Sequence, residues 1–284
     1  MPKKLNVLMP KIDLGQLQLE NKQSSQLLGR RLYRIHVNQK PYWLKLQALG
    51  IHELAEQYFE NELEIYRELN RVESAKHSVL GNFAIIDPQQ YIRSEEQLYS
   101  AGLLIEDANN LFAQNPQNIS EKATVNILLK SLDVLQNLHQ LGFIHGDLKK
   151  EHFRINTNSV FLIDFEQART IDGEIRPHLS ATPRYMAPEL FHAAEKSIQS
   201  DIYALGIIWL EWLMQNRLSC NSYKEWAILH CQLLKINLPE KFHALYPIFE
   251  QILAKQIDQR FANIYQIKQA LSKNVQRKSN ISHF

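Results

Sequence analysis

The pattern of apolar residues changes once along this chain, near Ala108, and that change constrains the fold more than any other feature. Before it, Leu32-Tyr33-Arg34-Ile35-His36-Val37 and Tyr42-Trp43-Leu44-Lys45-Leu46 are β-rich, and Asn38-Gln39-Lys40-Pro41 between them reads as a turn. From about His52 to Leu69 the spacing is helical, with Leu54, Tyr58, Phe59, Leu63, Tyr66 and Leu69 on one face. Strand-like runs return at Phe83-Ala84-Ile85-Ile86 and Leu103-Leu104-Ile105. After Ala108, Ser120 opens and Gly142 closes a helix over Glu121 to Leu141. Phe153-Arg154-Ile155 and Val160-Phe161-Leu162-Ile163 suit a hairpin, and helical patterns dominate from Pro188 to Ser272. The expected fold class is α+β and bilobal: a small β-rich lobe over 1–108, a larger helical lobe over 109–272, and a basic polar tail over 273–284. Residues 1–23 read either as the first strand of the small lobe or as a separate arm.

The 284 residues are 45% hydrophobic and 22% charged, which is the balance of a globular protein. A net charge of +2 demands no nucleic-acid partner. Cys220 and Cys231 are too few for a disulfide framework and read as reduced packing residues. The basic start, Met1 to Lys11, lacks the apolar core of a signal peptide. The longest apolar run, Ile202 to Met214, is broken by Glu211 and is too short to span a bilayer, so it reads as a buried helix. A cytoplasmic location with no transmembrane segment is the expectation, with peripheral membrane contact left open.

Two loops carry the chemistry. His145-Gly146-Asp147-Leu148-Lys149-Lys150-Glu151-His152-Phe153 follows a helix and precedes the hairpin, and Leu162-Ile163-Asp164-Phe165-Glu166 places a second aspartate 17 residues after the first. Such a pair suits phosphoryl transfer, one carboxylate orienting the acceptor hydroxyl and the other holding Mg²⁺ against ATP phosphates.

On these residues the chain resembles the protein-kinase superfamily. His145-Gly146-Asp147-Leu148-Lys149 is similar to H-R-D-L-K, and Asp164-Phe165-Glu166 to D-F-G. Ala181-Thr182-Pro183-Arg184-Tyr185-Met186-Ala187-Pro188-Glu189 is similar to G-T-P-x-Y-M-A-P-E, and Ser200 to Gly206 to S-D-V-W-S-L-G. Asp258-Gln259-Arg260-Phe261 resembles a shortened D-P-x-x-R-P. The resemblance implies ATP and Mg²⁺ as cofactors, Asp147 and Lys149 as catalytic residues, and Asp164 with His152 on the metal side. It further implies Lys45 and its helix partner Glu62 on the α- and β-phosphates, with Glu60 and Glu64 as the competing helix positions. Gly29 falls in the phosphate loop, and backbone groups of Glu106 and Ala108 fall at the adenine. Asp201 would brace the catalytic loop, Glu189 would pair with Arg260, and Phe165, His145 and Tyr66 would stack.

Three departures shape the functional reading. Ser24-Ser25-Gln26-Leu27-Leu28-Gly29-Arg30 stands where G-x-G-x-x-G is expected, so Arg30 and the serine hydroxyls become candidate substitutes for loop glycines. His152 replaces the catalytic-loop asparagine; this and Ile163 to Arg169 are similar to bacterial lipopolysaccharide core-sugar kinases. Gly146 replaces the loop arginine, so phosphorylation of Thr170, Ser180 or Thr182 is not expected to be an on-switch, and activity is constitutive or partner-controlled. The leading expectation is a serine/threonine protein kinase with a protein substrate. A kinase acting on a lipopolysaccharide sugar or other small-molecule hydroxyl, and a non-catalytic pseudokinase scaffold, are the alternatives.

Overall fold

The computed structural model describes residues 11–72, 78–93, 97–157, 159–173 and 181–281, with 274–281 as backbone only. Ser180, the stretch 1–10 and the side chains of the basic run after Lys273 lie outside the described residues. The chain divides into two compact units, one formed by residues up to Asn109 together with Asp164–Glu166, the other by Asn110–Ile163 and the chain from Gln167 onward. The first is β-rich and the second helix-rich, which is the expected α+β, bilobal class.

In the first unit, β1 (Arg30–Val37), β2 (Lys40–Ala48), β3 (Phe83–Ile86) and β4 (Tyr99–Glu106) form an antiparallel sheet in the order β1-β2-β4-β3. Alternation sorts the side chains of β2. Tyr42, Leu44 and Leu46 enter the core with Tyr33, Ile35 and Val37, while Lys45 and Gln47 point to the opposite face. Ile12, Leu14, Leu17 and Leu19 pack on the core face, where Ile12–Asp13 pairs with Ile92–Arg93. The turn between β1 and β2 is tighter than expected. Asn38 and Gln39 alone occupy it, both with positive φ (50° and 66°), and Lys40 and Pro41 already belong to the strand. A two-residue turn of this hand matches the strand twist. Helix α1 (Glu53–Val72) buries Ala55, Phe59, Glu62, Leu63, Tyr66 and Leu69. Glu62 is the anomaly in this stripe, a carboxylate with no exposure at all, and burial of that kind demands a cationic partner.

In the second unit, the Ser120 hydroxyl accepts the N–H of Ala123 at 3.1 Å and caps α2 (Glu121–Gln140). Gly142, at φ 87°, turns the chain out of that helix into β5 (Phe143–Ile144). The hairpin of β6 (Phe153–Ile155) and β7 (Val160–Leu162) follows, and β8 (Arg169–Thr170) pairs antiparallel with β5. Helix α3 (Ile198–Met214) is buried nearly all round and starts from a reciprocal Ser197–Ser200 capping box. Its Trp209 indole donates to Ser131 Oγ at 3.0 Å, and Trp212 donates to the Gln114 carbonyl at 2.8 Å. Two short helices, α4 (Tyr223–Ile228) and α5 (Tyr246–Ile252), precede α6 (Ile264–Ile281). Ile264, Ile267 and Leu271 anchor α6, and the helix continues through the residues that composition assigns to a tail. Cys220 and Cys231 are free thiols. Among the described residues, no helix is long and apolar enough to cross a membrane.

Candidate active site

The first unit gathers a charged cluster around Lys45. Its Nζ lies 2.7 Å from Glu62 Oε2, 2.7 Å from Asp164 Oδ1 and 2.7 Å from Glu166 Oε1. The competing helix carboxylates are elsewhere: Glu60 is exposed and pairs with Arg67, and Glu64 is exposed. Burial raises the Glu62 carboxyl, and the Lys45 ammonium opposes that shift. The other Glu62 oxygen accepts the N–H of Phe165 at 3.2 Å, and the Phe165 ring meets Tyr66 edge-on at 5.2 Å. Asp164 itself adopts φ 67°, an uncommon conformation for a residue with a side chain, of the sort that clusters at functional sites.

Glu62, Asp164 and Glu166 each bring a carboxylate oxygen within 4.8 Å of the others. Their hard oxygen donors suit Mg²⁺, which is bound through one or two carboxylates plus substrate phosphates. Asp164 and Glu166 are partly exposed and Glu62 is not, so the first two are the donors an incoming ion can reach.

The expected phosphate loop has a different local structure. Residues Gln23–Leu27 form a helical turn. Its amides are engaged internally: Ser25 and Gln26 donate to the Lys22 carbonyl, Leu28 to Ser25, and Gly29 to Gln26 at 2.9 Å. Gly29, at φ 85°, opens β1, and a Cβ there would stand 2.6 Å from Gln47 Nε2. Arg30 then reaches the cluster. Its guanidinium pairs with Glu166, donates from Nε to Gln47 Oε1 at 3.0 Å, and lies 5.4 Å from the Phe59 ring centre. Burial lowers its pKa, against the pull of Glu62 and Asp164.

Gln47 and Asn61 are neighbours of the cluster that motif reading does not name, and Glu166, named within its motif, was given no ion-pairing role there. Gln47 is two positions after Lys45 on the same strand face, and its amide donates to the Leu28 carbonyl at 2.8 Å. Asn61 is buried beside Glu62 and donates to the Glu166 carbonyl at 2.9 Å. A polar residue in the buried stripe of α1 was the available signal for it. At the end of β4, Glu106 donates its N–H to the Asn82 carbonyl at 2.9 Å, and Ala108 follows two residues on. Between them, Asp107 is held by Trp43 Nε1 at 2.9 Å and Arg34 at 2.6 Å.

The second unit holds the residues that the resemblance assigns to a catalytic loop. Asp147 Oδ2 is 2.9 Å from Lys149 Nζ, and its Oδ1 accepts the N–H of Thr182 at 2.7 Å. Burial works to raise this carboxyl, but Lys149, the neighbouring His152 and the Thr182 N–H together outweigh it and the net shift is downward. Asp201 accepts the N–H of His145 at 2.8 Å on one oxygen and that of Gly146 at 2.9 Å on the other. Its carboxyl is also lowered, burial being overcome by His139, His145 and the Gly146 N–H. The His152 ring is buried and stacks on His145 at 5.3 Å and 22°. Arg260 and Glu189 form a two-pronged pair at 2.7 and 2.5 Å.

A β-rich unit with a buried lysine–glutamate pair, followed by a helical unit with an aspartate-bearing loop, defines a two-lobed phosphotransferase architecture. The family model described as "Protein kinase domain" matches residues 48–281, and the chain belongs to that family. It is similar to serine/threonine-protein kinase Pkn1 of Myxococcus xanthus, 31% identical over 166 residues that cover 52% of this chain and 24% of the relative. It is also similar to probable serine/threonine-protein kinase PknB of Lactococcus lactis, 27% identical over 216 residues, 72% of this chain and 33% of that protein. Calcium/calmodulin-dependent protein kinase type 1 of Caenorhabditis elegans is 23% identical over 157 residues, 54% and 42% of the two chains. The matched regions are thus well under two thirds of these relatives' own lengths.

Proposed function

We propose that this protein is an ATP- and Mg²⁺-dependent phosphotransferase that moves the γ-phosphate to a serine or threonine hydroxyl of a protein. The observation that carries the reading is Lys45 Nζ held 2.7 Å from both Glu62 and Asp164. Nothing in an ordinary strand lysine calls for a fully buried glutamate and a positive-φ aspartate at once. Lys45 binds the α- and β-phosphates and Glu62 holds it in place. Asp164, with Glu166 as a further donor, would hold Mg²⁺, which when bound neutralises phosphate charge. Glu106 and Ala108 meet the adenine through their backbones. Asp147 orients the acceptor hydroxyl and takes its proton, and Lys149 offsets charge developing on the transferred group.

Arg30 takes over part of the work of loop glycines, because the N–H groups of Ser25, Gln26, Leu28 and Gly29 already have backbone partners. Its guanidinium supplies the positive charge that those amides do not. Arg30→Ala is therefore expected to raise the KM for ATP about tenfold with a smaller effect on kcat, the loss of one charge-assisted phosphate contact. An unchanged KM in steady-state assays would remove Arg30 from the nucleotide site.

The acceptor is decided by labelling. Protein incubated with γ-labelled ATP, Mg²⁺ and a lysate is expected to label polypeptide, and Lys45→Met to abolish at least about 99% of that label. Label in the polysaccharide fraction alone would identify a sugar hydroxyl as the acceptor and overturn the protein-kinase reading. Absence of ATP turnover together with absence of a Mg·ATP thermal shift would establish a scaffold instead.

A further inference from the structure

We propose that Lys196 is a positioning residue for phosphoryl transfer, clamping the catalytic loop at Gly146 to the segment that begins at Gln167. The proposal rests on the phosphotransferase reading above and adds to it a residue outside the recognised motifs. Lys196 lies in the stretch before α3, among Ala193-Ala194-Glu195, yet it is only 4% exposed. A buried ammonium is costly unless its donors are satisfied. Here Nζ donates to Gln167 Oε1 at 2.9 Å. The Lys196 carbonyl accepts from Arg169 at 2.5 Å, and Arg169 also faces Glu195 at 3.4 Å. One residue thereby fastens both ends of the Gln167–Arg169 segment, which follows Glu166 directly in the chain.

The other side of the clamp is the catalytic loop. Gly146 has φ 76°, and a Cβ there would stand 2.5 Å from the Gln167 carbonyl and 2.8 Å from Lys196 Cδ. Backbone cannot yield as a flexible side chain can, so only glycine allows the loop to lie this close to Lys196 and Gln167. Gly146 in turn gives its N–H to Asp201, and the next residue is Asp147. The exchange of the loop arginine for glycine and the burial of a lysine are thus two parts of one device. Asp147 and Asp201 attract the ammonium, while Arg169 and Lys149 repel it. Burial pushes its pKa down to about 8, which leaves it charged at neutral pH. Because the clamp is made from unmodified residues of the chain, it forms without a phosphorylated residue.

The test uses the full chain with Lys196→Met and Lys196→Arg, read by steady-state kinetics and by amide hydrogen exchange of the segments containing Gly146 and Gln167–Arg169. Lys196→Met is expected to lower kcat about 30- to 100-fold, with the KM for ATP changed less than about threefold, since small misplacements cost that much in rate. Exchange of those amides should rise about tenfold or more. Lys196→Arg, which keeps the charge and donors, should recover most of both. Should Lys196→Met not fold, Gln167→Ala removes the partner instead and should lower kcat in the same direction, by about fivefold. A kcat within twofold of the parent, or unchanged exchange in whichever of these variants folds, overturns the clamp. If the parent protein turns over no ATP, the phosphotransferase reading fails, while the exchange measurement still decides whether Lys196 holds the two segments together.

Discussion

Asp147→Asn is expected to lower the rate of phosphoryl transfer by about 10²- to 10⁴-fold, the range for loss of a positioned proton acceptor. The variant keeps the shape of the side chain and can still accept the Thr182 N–H, which the wild-type carboxylate receives at 2.7 Å. What disappears is the charge facing Lys149 at 2.9 Å and the capacity to take the hydroxyl proton. Nucleotide affinity should change little, because the phosphate-binding roles are assigned to Lys45 and Arg30. Single-turnover rates and the Mg·ATP-induced thermal shift measure the two separately. A rate within threefold of the parent would mean that Asp147 is not the base. The sign of its titration adds a second check. Lys149, His152 and Thr182 overcome burial and depress the carboxyl, so it stays ionised as pH falls through the normal carboxylate range. An acid limb of kcat near neutral pH must therefore come from another group.

Arg260→Ala should produce the largest loss of stability, about 3–5 kcal/mol, as expected when one partner of a buried ion pair is removed. The Arg260 side chain is fully buried and Glu189 is 14% exposed. The guanidinium holds both Glu189 oxygens, donates to the carbonyls of Ala254, Gln199 and Lys255, and lies 5.0 Å from the centre of the Tyr203 ring. Truncation leaves a carboxylate and three carbonyls without these donors at once. The transition midpoint should drop by roughly 10 °C. The double variant Glu189→Gln, Arg260→Met should be milder than Arg260→Ala, because no lone charge stays behind. Calorimetry or denaturant melts decide this, and a loss below about 1 kcal/mol would show that solvent reaches Glu189 and replaces the pair.

Much of the site is legible in residue order because it depends on local periodicity. Lys45 falls on the outward face of an alternating strand and Glu62 on the buried stripe of a helix, but that these two meet is implied by the family resemblance, and the structure places them 2.7 Å apart. Ser120, Gly142 and the hairpin after His152 are likewise short-range features, set by caps and turns within a few residues. The turn at Asn38-Gln39 is shorter than composition suggests, because strand pairing extends into Lys40 and Pro41 once a two-residue turn closes the hairpin. The helical turn at Gln23–Leu27 was hidden for a related reason. Its sequence lacks glycine until Gly29, but only the structure shows its amides bonded to its own carbonyls.

Sequence alone therefore determined the α+β class and the two aspartate loops that mark a protein kinase domain; the resemblance implied Lys45 with Glu62, and the structure chose Glu62 over Glu60 and Glu64. Tertiary structure alone decided that Arg30 faces Glu166, 136 residues away, and that Lys196 lies buried against Gly146. The physical reason is that backbone periodicity is encoded over a few residues, whereas the energy of a charge depends on distance and burial. Neither quantity exists until the chain has folded. A motif can name the residue types of a site, but which arginine answers an extra glutamate, and which lysine fills the space beside a glycine, are settled by packing.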